Sequence, residues 1–116
     1  MAEEIRIIRG DTYDIEFYIL DEYDAPVLIT GVWNVVLESE TINKDSVNDP
    51  SDFQIETAPY TVGQGVIHLK STETNPITGA CGYIRKTHYK LRLYYDANPA
   101  VVKTVSTGDL IFISEL

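Results

Sequence analysis

The residues on which chemistry would draw are few in this chain: two histidines, His68 and His88, one cysteine, Cys81, and three neighbouring aspartates, Asp45, Asp49 and Asp52. A metal site needs imidazole, thiolate or carboxylate ligands at short spacings, and neither histidine has a second imidazole or thiolate beside it. The aspartates approach a calcium loop. Val47 and the missing glycine break the alternation of oxygen ligands that such a loop requires. Hydrolysis by a side-chain nucleophile needs a nucleophile on a strained turn, a base and an orienting acid, and two histidines on strand patterns do not supply them. Nothing beside Cys81 would hold a thiolate, so it reads as a small apolar side chain. No glycine-rich phosphate loop or dinucleotide fingerprint occurs. The expectation is no enzyme activity, no catalytic residue, no metal and no cofactor. Arg9-Gly10-Asp11 is a tripeptide that adhesion receptors read at the tip of a protruding loop. Here it joins two strand patterns, and a tight connection is the simpler account.

The elements that would position these residues are strands. In His88–Asp96, Tyr89, Leu91, Leu93 and Tyr95 fall on one side of an extended chain, with His88, Lys90, Arg92 and Asp96 on the other. This is the period of a strand with one buried face, beginning at residue 83 or 84 and running to Tyr95. Tyr13, Ile15, Phe17 and Ile19 form a second apolar stripe, Trp33, Val35 and Leu37 a third, and Ile67 and Leu69 a fourth. Trp33 is expected as a core anchor, because its large ring gains most from cover. Shorter strands are predicted over Ile5–Arg9, around Phe53 and Ile55, over Val101–Val105 and over Leu110–Ile113, with tight turns at 96–99 and 106–109. The stretch 39–52, rich in Asn, Asp, Ser and Thr without periodicity, is predicted as a long mobile loop. The resulting fold class is all-β, a single antiparallel β-sandwich domain over 1–116.

At 116 residues the chain can bury roughly two thirds of its unfolded surface, enough for an independent core. A formal charge of −9 repels phosphate backbones and anionic headgroups, which argues against nucleic-acid and membrane partners. One cysteine excludes an internal disulfide. No apolar window has the length of a membrane span or signal core, so maturation in a cytoplasm is expected. Four tyrosines on predicted outer faces or loops, Tyr18, Tyr23, Tyr60 and Tyr94, are the candidate partner contacts, since rings gain from cover while their hydroxyls stay wet.

The order of patterns resembles the N-terminal immunoglobulin-like domain of phage baseplate upper proteins and related small phage virion proteins. The stretches that carry the likeness are Ile8-Arg9-Gly10-Asp11-Thr12-Tyr13-Asp14-Ile15-Glu16-Phe17, the Asp-rich turn with Ala25-Pro26, Leu28-Ile29-Thr30-Gly31, Val32–Glu38, Gly65–Leu69, Tyr89–Leu93 and Thr104–Ile111. The resemblance implies an immunoglobulin-like sandwich without catalytic residues, assembled in a bacterial host cytoplasm and docked onto other tail, baseplate or head subunits in a symmetric virion. Three other readings remain open at this point: a phage head-decoration or head-fibre protein, a carbohydrate-binding β-sandwich module that stacks sugars on Tyr60 or Tyr94, and a metal-dependent enzyme, which stoichiometric zinc in the purified protein would reveal.

Overall fold

Strand β7 (Ile84–Tyr95) lies in the middle of the molecule, with β3 (Trp33–Ser39) antiparallel on one side and β8 (Asn98–Ile113) antiparallel on the other. The computed structural model describes residues 2–56, 63–74 and 84–113. Within them β1 (Ala2–Ile8) and the short β4 (Lys44–Asp45) complete a five-stranded sheet of order β1-β8-β7-β3-β4. Strands β2 (Tyr13–Tyr18), β5 (Phe53–Ile55) and β6 (Gln64–Leu69) form a second sheet of order β2-β6-β5. The two sheets pack face to face, the all-β sandwich that the alternating pattern predicts.

Alternation decides which side chains make the core. Tyr89, Leu91 and Leu93 are buried on the inner face of β7, beside Val35 and Leu37 of β3 and Leu110 and Phe112 of β8. Ile15 and Phe17 of β2, with Ile67 and Leu69 of β6, close over them from the second sheet. Phe17 pairs across the ladder with Gly65, and a Cβ on Gly65 would fall 2.3 Å from the Phe17 ring, so only glycine leaves room for it. Trp33 sits at the margin rather than the centre. It is half-buried, its ring centroid 5.1 Å from that of Tyr95 and capped by Lys103 Nζ at 5.3 Å.

Three expectations are corrected. First, the sandwich is not wholly antiparallel, because β1 runs parallel to β8 from Ala2↔Thr107 to Ile8↔Ile113. Second, 106–109 is not a turn: β8 passes straight through, with Gly108 opposite Tyr89 and Asp109 opposite His88. Ladders on both sides of β8 override a turn-like composition there, and Asp109 meets Lys86 and His88 on the outer face. Third, 39–52 is not without regular elements. It contains β4 and a 3-10 turn over Pro50–Asp52, and Ser39 Oγ, Asn43 and Asp45 accept or donate hydrogen bonds that fold it on itself.

That stretch also supplies a fastening that the sequence pattern does not reveal. Lys44, opposite Leu37 at the sheet edge, turns inward and is buried, with Nζ donating to Asp52 Oδ2 at 2.9 Å and to the His68 carbonyl at 2.9 Å. Glu73 Oε1, from α1 (Ser71–Thr74), lies 2.6 Å from the same ammonium, and Lys70 approaches Asp52 at 3.4 Å. One cation thus joins an edge strand of the first sheet to β6 and α1 beside the second. Burial alone would lower the Lys44 pKa; the hydrogen bonds and charges of Glu73 and Asp52 outweigh it and hold the pKa above its ordinary value. The bond from Lys44 holds the Asp52 carboxyl below the usual carboxylate range, against the opposing effect of burial.

Two outcomes are expected. Leu93→Ala should destabilise the fold by about 2–5 kcal/mol in urea titration, while Lys90→Ala, on the outer face of the same strand, should cost less than about 0.5 kcal/mol. Asp52→Asn should cost about 3 kcal/mol at neutral pH, because it leaves Lys44 buried with only Glu73. A depressed carboxyl stabilises above its unfolded pKa and ceases to do so as pH falls through the folded one, so the gap between Asp52→Asn and the parent should narrow below about pH 3.9. Thermal melts across that range measure it.

Candidate functional site

The four candidate tyrosines do not come together. Tyr18 is at the end of β2, 48% exposed on the outer face of the second sheet. Tyr23 is 83% exposed in the turn after β2, where Asp21 Oδ1 accepts from the backbone N–H groups of Tyr23 and Ala25. Tyr94 is half-buried on the outer face of the first sheet, on the opposite side of the sandwich from Tyr18. Tyr60 lies outside the described residues, as does Cys81.

The polar residues weighed for chemistry are likewise dispersed and engaged in local structure. His68 Nδ1 is 2.6 Å from Asp14 Oδ1, a cross-strand pair on the outer face of β2 and β6. His88 Nδ1 stands 3.5 Å from Asp109 Oδ1 on the outer face of the other sheet. Asp45 accepts from the Val47 and Asn48 backbones and from Asn48 Nδ2, and these bonds outweigh burial and keep its carboxyl below the ordinary range. Asp49 accepts from the Asp45 backbone and Asp52 from Lys44, so the three carboxylates point to different partners rather than to one cation. Among the described residues, no group of three or more His, Cys, Asp or Glu is placed to hold a metal ion. The Arg9-Gly10-Asp11 segment is a tight connection: Asp11 N donates to Ile8 O at 3.1 Å, Gly10 has φ of 87°, and Thr74 Oγ1 links Gly10 N and Asp11 O.

Concave surfaces occur at several places among the described residues, and two of them are the recess beside Tyr94 and the groove beside β2. One is a recess of about 370 Å³ on the outer face of β3 and β7, walled by Asn34, Val36, Glu38, Val47, Asn48 and Tyr94. Its polar groups are bound to one another. The Tyr94 hydroxyl donates to Glu38 Oε1, Arg92 Nη1 lies 3.5 Å from Glu38 Oε2, and Asn34 Oδ1 accepts from Ser46 Oγ. Val47 is 63% exposed at the rim. A half-buried ring with a committed hydroxyl is a poor platform for a sugar.

The other is a groove of about 710 Å³ along the side of the sandwich where β2 faces the edge formed by β1 and β8. Its floor is core: Ile5, Ile15, Phe17, Leu37, Tyr89 and Leu91. Its rim carries Glu4, Asp14 and Glu16 and no lysine or arginine. Sequence reasoning did not reach this groove, because it follows from which strands are neighbours, and the pattern within a strand does not state that. The only signal was the concentration of acids before residue 57: fourteen of the eighteen lie there, against three of the nine basic residues.

A scan against protein-family models finds no match for this chain, and a search of curated proteins finds none either.

Replacing Tyr94 by Phe should cost about 1 kcal/mol or less of stability, the scale of one hydrogen bond to an accepting carboxylate at a half-exposed site. Glycan-array binding should be undetectable for the parent and for Tyr94→Ala alike; a glycan retained by the parent and lost by Tyr94→Ala would identify the recess as a sugar site.

Proposed function

We propose that this chain is a structural component of a bacteriophage or prophage virion, a tail or baseplate accessory subunit that acts by docking onto other virion proteins. The observation that carries the reading is the strand order. The neighbours β3-β7-β8 and β2-β6-β5 follow the C-F-G and B-E-D order of immunoglobulin sandwiches, the architecture that the resemblance in sequence pattern implies.

The surface supports a docking role. Large apolar side chains stand exposed where the core does not need them: Tyr23, Val47, Leu28, Tyr18 and Ile8, with Val101 and Val102 in β8. Every side chain from Asn98 to Thr104 is exposed, although Leu93 of β7, opposite Lys103, is buried. Single exposed apolar residues are ordinary, but a strand segment exposed over seven residues gains from a neighbouring subunit. The net charge of −9 favours basic partner surfaces over nucleic acid.

Mass spectrometry of purified virions from the host strain should detect the chain at a fixed stoichiometry to the tail proteins, with immunogold label at the tail or baseplate. Label on the capsid would reassign it to head decoration or a head fibre. Its absence from purified particles would refute the reading.

A further inference from the structure

Among the described residues the sheet β2-β6-β5 has three strands, one fewer than the A-B-E-D sheet of a constant-type immunoglobulin domain. Immunoglobulin sandwiches place a strand A beside B in this sheet, whereas here the N-terminal strand β1 pairs with β8 of the other sheet. Among the described residues, β2 is therefore hydrogen-bonded on one side only, to β6, over the whole of Tyr13–Tyr18. Resting on the reading of the chain as a docking subunit, we propose that the free edge of β2 is the docking site, and that its occupant is an extended, basic segment of a partner protein that adds to the sheet as the missing strand.

Three features favour this edge over the open part of β8 and over β4 and β5. Devices that blunt an edge strand are bulges, prolines, lysines and shortness. The open part of β8 has them: register shifts lie opposite Leu91/Arg92 and Tyr94/Tyr95, and the strand carries Pro99 and Lys103. β4 and β5 are only two and three residues long. β2 pairs for six residues without a register shift and contains no proline, glycine or lysine. Second, the apolar floor of the adjoining groove offers alternate pockets of the kind that read the inward side chains of an added strand.

Third, charge selects the occupant. Asp14 and Glu16 point outward from β2, Glu4 stands across the groove paired with Arg6 at 3.3 Å, and no lysine or arginine is among the described lining residues. An added strand with lysine or arginine at alternate positions would set them beside Asp14 and Glu16, with apolar residues toward the groove. A second copy of this chain is disfavoured. Pairing β2 with β2 would place Asp14 and Glu16 against the same carboxylates, and like charges directly opposite are destabilising.

The test is a titration of the isotope-labelled chain, followed by amide chemical shifts, with a capped peptide about eight residues long in which lysine and valine alternate. A second peptide with glutamate for lysine is the control. The expected shifts concentrate on Tyr13–Tyr18 and on Ile5 and Val105 of the groove wall. Affinity should fall about tenfold in Glu16→Lys with the circular dichroism spectrum unchanged, and the glutamate peptide should gain there. Shifts centred on the Tyr94 recess, no shifts at millimolar peptide, or equal binding of the two peptides would overturn the assignment. The virion reading is tested separately. A chain present in purified particles with no peptide response on β2 loses this site alone, whereas shifts on β2 with the chain absent from particles keep the site and lose the virion role.

Discussion

The structure depends on one constraint: β7 buries one face and exposes the other, and it has ladders on both edges. Tyr89, Leu91 and Leu93 leave water together, and the strands that carry Val35, Leu37, Leu110 and Phe112 line up beside them because their own alternation has the same period. A shift of one residue in this register would turn the leucines outward and bring Lys90 and Arg92 into the core, which no compensating pair could offset. The second sheet is needed because the first has a continuous apolar face. It supplies Ile15, Phe17, Ile67 and Leu69 as the cover.

The rim of the sandwich is held differently at its two sides. At the β4 side, Lys44 brings a cation inside and gathers Asp52, Glu73 and the His68 carbonyl around it, so the side is fastened by charge rather than by a continued ladder. The same cluster, with Thr74 joined to Gly10 and Asp11, fixes α1 against the first connection of the chain. At the β2 side nothing comparable spans the gap among the described residues. The groove there has a floor of core residues and an acidic rim. Among the described residues one side is tied by charge and the other is not, and the proposed docking site follows from that difference.

Much of this was legible in the residues themselves. Alternation in Tyr89–Leu93, Tyr13–Phe17, Trp33–Leu37 and Ile67–Leu69 identifies both the strands and their buried faces, because a period of two is a local property. Strand neighbours are not local. The parallel pairing of β1 with β8 joins residues more than a hundred positions apart, and no pattern within either segment announces it. Composition misled at Ser106-Thr107-Gly108-Asp109, where flanking ladders hold a turn-like sequence extended. It misled again at 39–52, where a lysine among polar residues looks solvated but is the buried centre of an ion cluster. Of the tyrosines chosen as contacts, Tyr18 borders the groove, Tyr94 lines the other recess and Tyr23 stands alone in its turn. Their type was readable, while their separation onto opposite faces came only with the fold.

The functional account comes down to a sandwich in which β2, among the described residues, is paired along one edge only. Residue-resolved hydrogen exchange on the intact chain tests that most directly. The β7 amides should exchange only through global unfolding, while the β2 amides aimed away from β6 should exchange orders of magnitude faster than those bonded to it. Uniform protection along β2, or local exchange within Tyr89–Leu93, would contradict the account.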